Sequence, residues 1–338
     1  MSVLSLRNVL RLAVLFAPVL ASAAPGATWR VRPLSLPIWY GASCSAIDSR
    51  GRIAGTAKLA PDEFGQAGFL HNGQLFRTWG IIDGEDPTGA NALSDHGLVV
   101  GKRITDRTFG FHKAIIFREH GPRDLPPLTP MNGSSEALGV NIAGDIVGVA
   151  ASADGSDHAV RWHDDTVTDL APGSRDSRAV AINAAGTIVG SADGAMVSFT
   201  AAGPVPLAGL EAATGVAGAL NNAGVVAGYT VDASGLRRAY TWQAGTVTPL
   251  PTPDGEESVA RGLNNAGTVV GYVRSGATSK GVVWLDGDLI VLDDALAPGA
   301  PAGWHITDAG AINDAGQICA TASKPHEYPQ VVLLKPVH

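Results

Sequence analysis

The chain has 338 residues, 45% of them apolar and only 16% charged, with 42 Gly, 21 Pro and a formal charge of −7. That balance argues against a helical bundle and suits short strands joined by many tight turns. The acidic sign and the lack of a basic stripe argue against a nucleic-acid partner, whose affinity would come from neutralised phosphates.

The first 23 residues read as a separate unit. Arg7 and Arg11 flank the start of an apolar run from Leu12 to Leu20, and Ala21-Ser22-Ala23 supplies the small-x-small pattern of a cleavage site. The run is about half the roughly 20 residues that a membrane anchor needs. A secretory signal peptide cleaved near Ala23 is therefore expected, leaving residues 24–338 as a single domain, extracellular or periplasmic and without a membrane anchor.

From there on one motif recurs, most plainly as Ala181-Ile182-Asn183-Ala184-Ala185-Gly186-Thr187-Ile188-Val189-Gly190. Its mid-motif glycine falls at Gly51, Gly97, Gly144, Gly186, Gly224, Gly267 and Gly316, at spacings of 38 to 49 residues. A period in the forties is the signature of a repeat array or propeller. Within the unit around Gly186, Ala179 to Ile182 reads as a first strand whose small residues suit tight packing where sheets converge. Asn183 to Gly186 has the chemistry of a type I turn, and Thr187 to Ser191 follows as a second strand.

Third strands end in an aromatic residue, as in His158 to Trp162, Arg238 to Trp242 and Lys280 to Trp284, with Phe117 and Phe199 in two other units. Their area suits core packing between stacked sheets better than a ligand cage. Fourth strands are expected at Thr166 to Leu170, Thr246 to Leu250 and Gly287 to Leu292.

Four strands in about 43 residues, seven times over, predict an all-β, seven-bladed β-propeller with four strands per blade. The last unit offers only three strands, at Ala311 to Asn313, Gln317 to Ala320 and Gln330 to Leu334. Trp29 to Leu36 resembles a fourth strand, so the N-terminal segment is expected to complete the last blade and close the ring.

The recurring A-I-N-x-x-G-x-I-V-G core followed by an A-x-x-W segment resembles the bacterial HAF-repeat family, whose members are taken to be extracellular. The resemblance covers nearly the whole mature chain and implies location and repeat architecture, with no assigned reaction. The strand order also looks like that of kelch propellers. Ala320 in place of the terminal Gly, Leu70 at the end of a third strand and Ser94 in place of Asn depart from the pattern, so less regular blades are expected there.

Chemistry is harder to find. The chain lacks G-x-S-x-G, H-E-x-x-H and a P-loop, and two Cys cannot build a zinc site, so no cofactor, catalytic residue or metal is expected. Asp154-Gly155-Ser156-Asp157 and Asp83-Gly84-Glu85-Asp86 read as Asp/Gly turns before they read as calcium loops. Ring closure brings the blades of Cys44 and Cys319 together, where a disulfide is open to them, with two buried free thiols as the simpler expectation.

In a propeller the first-hairpin turns emerge on one face, and the blade-joining loops and second-to-third-strand loops on the other. The first set is nearly uniform here, and the second varies in length and charge, which is where binding usually sits on a rigid scaffold. A binding surface is therefore expected at the strand starts, centred on Tyr40, Glu136, Arg178, Glu257 and His305, with Arg107, His112 and His326 on the rim. Arg178 can hold a carboxylate by paired hydrogen bonds, and His305 and His326, near Asp308 and Glu327, would be the acid–base candidates. The expected function is a secreted monomeric binding module for a protein or glycan. A propeller hydrolase or lyase acting on extracellular polysaccharide is the alternative.

Overall fold

The computed structural model describes residues 27–34, 40–59, 65–79, 86–106, 108, 110–130, 133–300 and 302–337. The leader with its cleavage site, Arg107, and Asp83 to Glu85 lie outside the described residues.

Seven four-stranded antiparallel sheets form the seven blades of a β-propeller. In blades 1 to 6 the four strands run in chain order across the sheet. Blade 7 takes three strands from the C-terminal repeat, and its fourth is the N-terminal strand Thr28–Pro33, paired antiparallel with Gln330–Val337 from Thr28 opposite Val337 to Pro33 opposite Val332. The ring therefore closes by joining the two ends of the described chain, as the missing fourth strand implied.

The innermost strands are Ala42–Ile47, Thr88–Leu93, Ser135–Val140, Ser177–Ile182, Gly215–Leu220, Glu257–Leu263 and His305–Ile312. Each contacts the equivalent strand of the next blade, around the full circle. Small residues are required there. A Cβ on Gly262 would come 3.0 Å from Ala311 Cα, and one on Gly310 would come 2.8 Å from the Cys44 carbonyl oxygen.

Each inner strand also carries a β-bulge at the same place, leaving Ser45, Asn91, Leu138, Val180, Gly218, Arg261 and Gly310 unpaired. The bulge explains the glycine that ends the repeat motif. A Cβ on Gly190 would sit 1.9 Å from the Arg178 carbonyl oxygen, and Gly101, Gly228 and Gly271 meet the same obstacle at the same distance. Ala320 is the one exception, and its partner strand is the one with a second register shift, between Ile306 and Asp308. The expected irregularity is found in that blade, whereas the blade of Leu70 shows only the bulge that all seven share.

The third-strand aromatics pack in the core, with Trp242 only partly buried. Trp162 and Trp284 are almost fully buried, and the indole Nε1–H of each donates to a backbone carbonyl in the exit loop of the preceding blade, Pro126 and Pro251, at 2.8 Å. The opening hydroxyl of several inner strands works the same seam. Ser135, Ser177 and Ser258 are buried, and each Oγ accepts from a third-strand N–H of the blade before it, at 2.8 to 3.0 Å. A buried amide with no acceptor would cost a kcal/mol or more, on the order of 1–3, so these contacts fix blade spacing as well as pack it.

Cys44 and Cys319 form a disulfide, with Cα atoms 6.0 Å apart. This corrects the simpler expectation of two free thiols. The Cys44 strand lies directly against the last blade, so ring closure sets the two side chains face to face. Some boundaries also shift. The inner strand of blade 7 begins at His305 rather than Ala311, and the fourth strand of blade 6 stops at Val291, where a single 3-10 turn, Leu292–Ala295, begins.

Candidate functional site

The two mouths of the ring are built differently. At the first-hairpin mouth, each repeat Asn caps its own turn and then reaches across to the next blade. Asn221 Oδ1 accepts from the Ala223 and Val225 amides at 3.0 and 2.9 Å, while its Nδ2 donates to the Asn264 carbonyl at 3.1 Å. The same cross-blade bond runs from Asn141 to Asn183, Asn183 to Asn221, Asn264 to Asn313 and Asn313 to Asp48, at 2.8 to 3.2 Å.

A second circle lies one residue further on. Asn222 Oδ1 accepts from the Ala184 amide, Asn265 from Asn222 and Asp314 from Asn265, at 2.8 to 3.0 Å. Asp95 accepts from Ser49 in the same way at 2.7 Å. Beneath these turns a cavity of about 240 Å³ is lined by the last aliphatic residue of every inner strand: Ile47, Leu93, Val140, Ile182, Leu220, Leu263 and Ile312. The recurrence of Asn is therefore more than turn chemistry, because its amide ties the ring together. The polar groups at this mouth are largely used by the protein itself.

At the opposite mouth, where the inner strands start, the side chains carry charge. Glu136, Arg178 and Asp308 occupy equivalent places, each two residues before the bulge of its strand. Glu136 is buried and sits between three donors: Arg178 Nη2 at 2.9 Å, Asn91 Nδ2 at 3.0 Å and Lys102 Nζ at 3.1 Å. Burial works to raise its carboxyl, but the charges of Lys102 and Arg178 outweigh it and hold the group below the usual carboxylate range. Lys102 can reach because it stands opposite Gly89, which has no side chain.

A second cluster spans blades 5, 6 and 7. Arg237 holds Glu257 with two nitrogens, Nε at 3.3 Å and Nη2 at 3.0 Å, which keeps the Glu257 carboxyl low. Arg261 Nη2 lies 3.5 Å from Asp308 Oδ2. Arg261 and Arg274 both approach the ring of the buried Tyr272, with guanidinium carbons 5.4 and 4.9 Å from its centroid. Asp308 Oδ1 is the one buried side-chain oxygen or nitrogen among the described residues without a hydrogen-bond partner. Burial pushes the Asp308 carboxyl up, against the charges of Arg261 and Arg274.

The residues expected here meet different fates. Glu136 and Arg178 come together, in an ion pair that occupies Arg178 with an internal carboxylate. Glu257 pairs with Arg237 rather than with either of them. His305 hydrogen-bonds Asp293 at 3.2 Å, not Asp308, and Glu327 pairs with Lys324 at 3.5 Å, so the two acid–base pairs do not form as expected. Tyr40 packs edge-on against the exposed Tyr328, centroids 5.4 Å apart. His112 sits near the start of its third strand, its Nδ1 3.1 Å from the Gly110 carbonyl. His326 is exposed in a turn with φ of +65°. Asp154 is occupied by its own turn, accepting from Ser152 and from Ser156, in line with the turn reading.

Sequence reasoning missed Arg237, Arg261, Arg274 and Tyr272. One signal was present: Arg261 stands at a bulge position that holds Ser, Asn, Leu, Val or Gly in the other blades.

No family profile and no curated relative matches the sequence. Solved structures do. The chain is similar to a puromycin-hydrolysing peptidase from Mycobacterium tuberculosis, with a TM-score of 0.61 and 13% identity over 93% of this chain, and it spans 55% of that protein's length. It is also similar to the β-propeller domain of the Trilobed protease from Pyrococcus furiosus, with a TM-score of 0.54 and 8% identity, covering 88% of this chain and 94% of that one. That propeller is described as having an open velcro topology, whereas this ring is closed by its N-terminal strand. At such identities the likeness is one of fold.

Proposed function

We propose that the protein is a secreted binding module, of the HAF-repeat kind, that receives a protein or glycan ligand on the mouth where the inner strands start. The observation that carries this reading is the asymmetry of the ring. Charged side chains from at least five blades gather at one mouth, while the other is bound up in cross-blade hydrogen bonds. Within the cross-blade clusters the cations Lys102, Arg178, Arg237, Arg261 and Arg274 outnumber the carboxylates Glu136, Glu257 and Asp308, on a chain whose formal charge is −7. A polar or anionic ligand fits it better than a lipid.

Asp308 supports a second reading, a hydrolase or lyase acting on polysaccharide. A carboxyl raised by burial, with an oxygen left unbonded, has the chemistry of a general acid. The test is a glycan and protein array probed with the mature chain, followed by incubation of each hit and analysis of its products. Retention of an intact ligand supports the binding module, cleavage supports the enzyme, and binding that survives Ala at both Arg178 and Glu257 places the ligand elsewhere.

A further inference from the structure

Resting on the reading of this mouth as the binding surface, we propose that Arg261 and Arg274 form a carboxylate-recognising subsite and that its ligand is an acidic glycan of the polyuronate class. The three arginines in this sector are engaged to different degrees. Arg237 is held by Glu257 through two of its nitrogens. Arg261 reaches Asp308 through a single contact at 3.5 Å, longer than a charge-assisted hydrogen bond, and its side chain is 50% exposed. Arg274 is in no ion pair among the described residues, although it stands opposite Glu257 in the sheet. Each guanidinium has five N–H donors in one plane, so both arginines keep donors for an incoming group.

Both are held near one buried ring. Tyr272 is 2% exposed, and its ring supports both guanidinium groups within 5.4 Å. A mobile lysine would supply charge without direction, whereas two arginines settled on one buried ring present planar forks whose natural complement is a carboxylate. Among the described residues, the ion pairs of Arg237, Arg261 and Arg274 involve only the carboxylates of Glu257 and Asp308.

The glycan class follows from what lies further round the same mouth. Tyr40 and Tyr328 meet edge to face at the junction of blades 7 and 1, and Tyr328 is 56% exposed. A rigid aromatic surface with polar tips suits a ring that is apolar on its face and hydroxylated at its edge. A chain of uronic acids offers such rings together with a carboxylate on each, while an acidic peptide offers carboxylates on flexible arms and no ring face.

Calorimetric titration of the full chain with polygalacturonate, its methyl ester, a neutral glucan and polyglutamate tests this. Polygalacturonate should bind, with affinity falling as salt rises, and the methyl ester should bind at least tenfold more weakly. Arg261→Gln and Arg274→Gln should each weaken polygalacturonate binding about tenfold. Arg261→Lys and Arg274→Lys, which keep charge and lose the planar fork, should fall between, with thermal unfolding confirming that each variant is folded.

Equal affinity for the ester, no binding of polygalacturonate, or unchanged binding by the folded Gln variants overturns the subsite. Tighter binding of polyglutamate overturns the glycan class. If the neutral glucan or the ester binds and Ala at Arg178 and Glu257 abolishes it, the mouth remains the binding surface and only the carboxylate subsite fails. A bound ligand indifferent to both sets of substitutions removes both proposals.

Discussion

The two mouths of this propeller are made from the same strands and the same repeat, yet they use polar residues in opposite ways. At the turn mouth the amides of Asn141, Asn183, Asn221, Asn264 and Asn313 spend both ends on the protein, one on their own turn and one on the next blade. At the strand-start mouth Arg261 and Arg274 keep donors free and Asp308 keeps a buried oxygen unbonded. Both mouths tie neighbouring blades, but the turn mouth does so with its amides fully used, while the strand-start mouth, the proposed binding surface, has donors to spare.

Four measurements test that contrast. The largest effect should come from the ring closure, where hydrogen bonds are joined by a covalent bond. In the chain-entropy view, a disulfide closing a loop across a sequence separation of 275 residues contributes about 5 to 6 kcal/mol. Replacing Cys44 and Cys319 by Ser should lower the unfolding midpoint sharply, and thiol counting on the unfolded, unreduced native protein should find none free. Two free thiols would remove the bond.

Next comes the turn mouth. Asn221→Ala deprives two turn amides of their acceptor and the Asn264 carbonyl of its donor, and should cost about 2 to 4 kcal/mol in denaturant unfolding while leaving ligand affinity unchanged. A loss of affinity without a loss of stability would show that the wrong mouth has been assigned to recognition.

The complementary experiment is the pair Arg178→Ala with Glu257→Ala. Once a ligand is in hand it should weaken binding tenfold or more, on the order of 1.4 kcal/mol, whereas substitution of Ala184 or Asn222 should do far less. Because both residues also tie neighbouring blades, affinity must be compared at a temperature where every variant is folded.

The smallest expected effect is on pH dependence. The folded Asp308 carboxyl titrates above its ordinary value, so its charge opposes folding above that raised pKa, and the penalty disappears as pH falls through it. Asp308→Asn should therefore raise the unfolding midpoint at neutral pH, with the gain fading in acid. Glu136 has the opposite sign: its depressed pKa contributes stability that is present above the ordinary carboxylate value and lost as pH falls through the folded one. Glu136→Gln should lose stability at neutral pH and converge with the parent in acid. If both variants followed the parent's pH profile, these carboxyls would be unperturbed and the contrast between them would fall.

What the sequence determined by itself is the blade. Strand, turn and strand are local, and the chemistry that builds them is written into adjacent residues: an Asn that opens a turn, a Gly that takes positive φ at its fourth position, and an aromatic residue at the end of the third strand. Gly186 has φ of +81°, and all seven mid-motif glycines share that conformation. Counting the units then fixed the ring, and the missing strand of the last unit pointed to the N-terminal segment that fills it. Contacts between blades join residues far apart in the chain and become visible only in three dimensions. Arg178 meets Glu136 from 42 residues away, Arg237 takes Glu257, and Asn313 reaches back across 265 residues to Asp48. Those partners depend on how a bulge turns each inner strand and on how far a side chain reaches into the neighbouring sheet. The repeat marks the bulge but not the reach of each side chain, so the sequence could mark a charged mouth but not pair its charges.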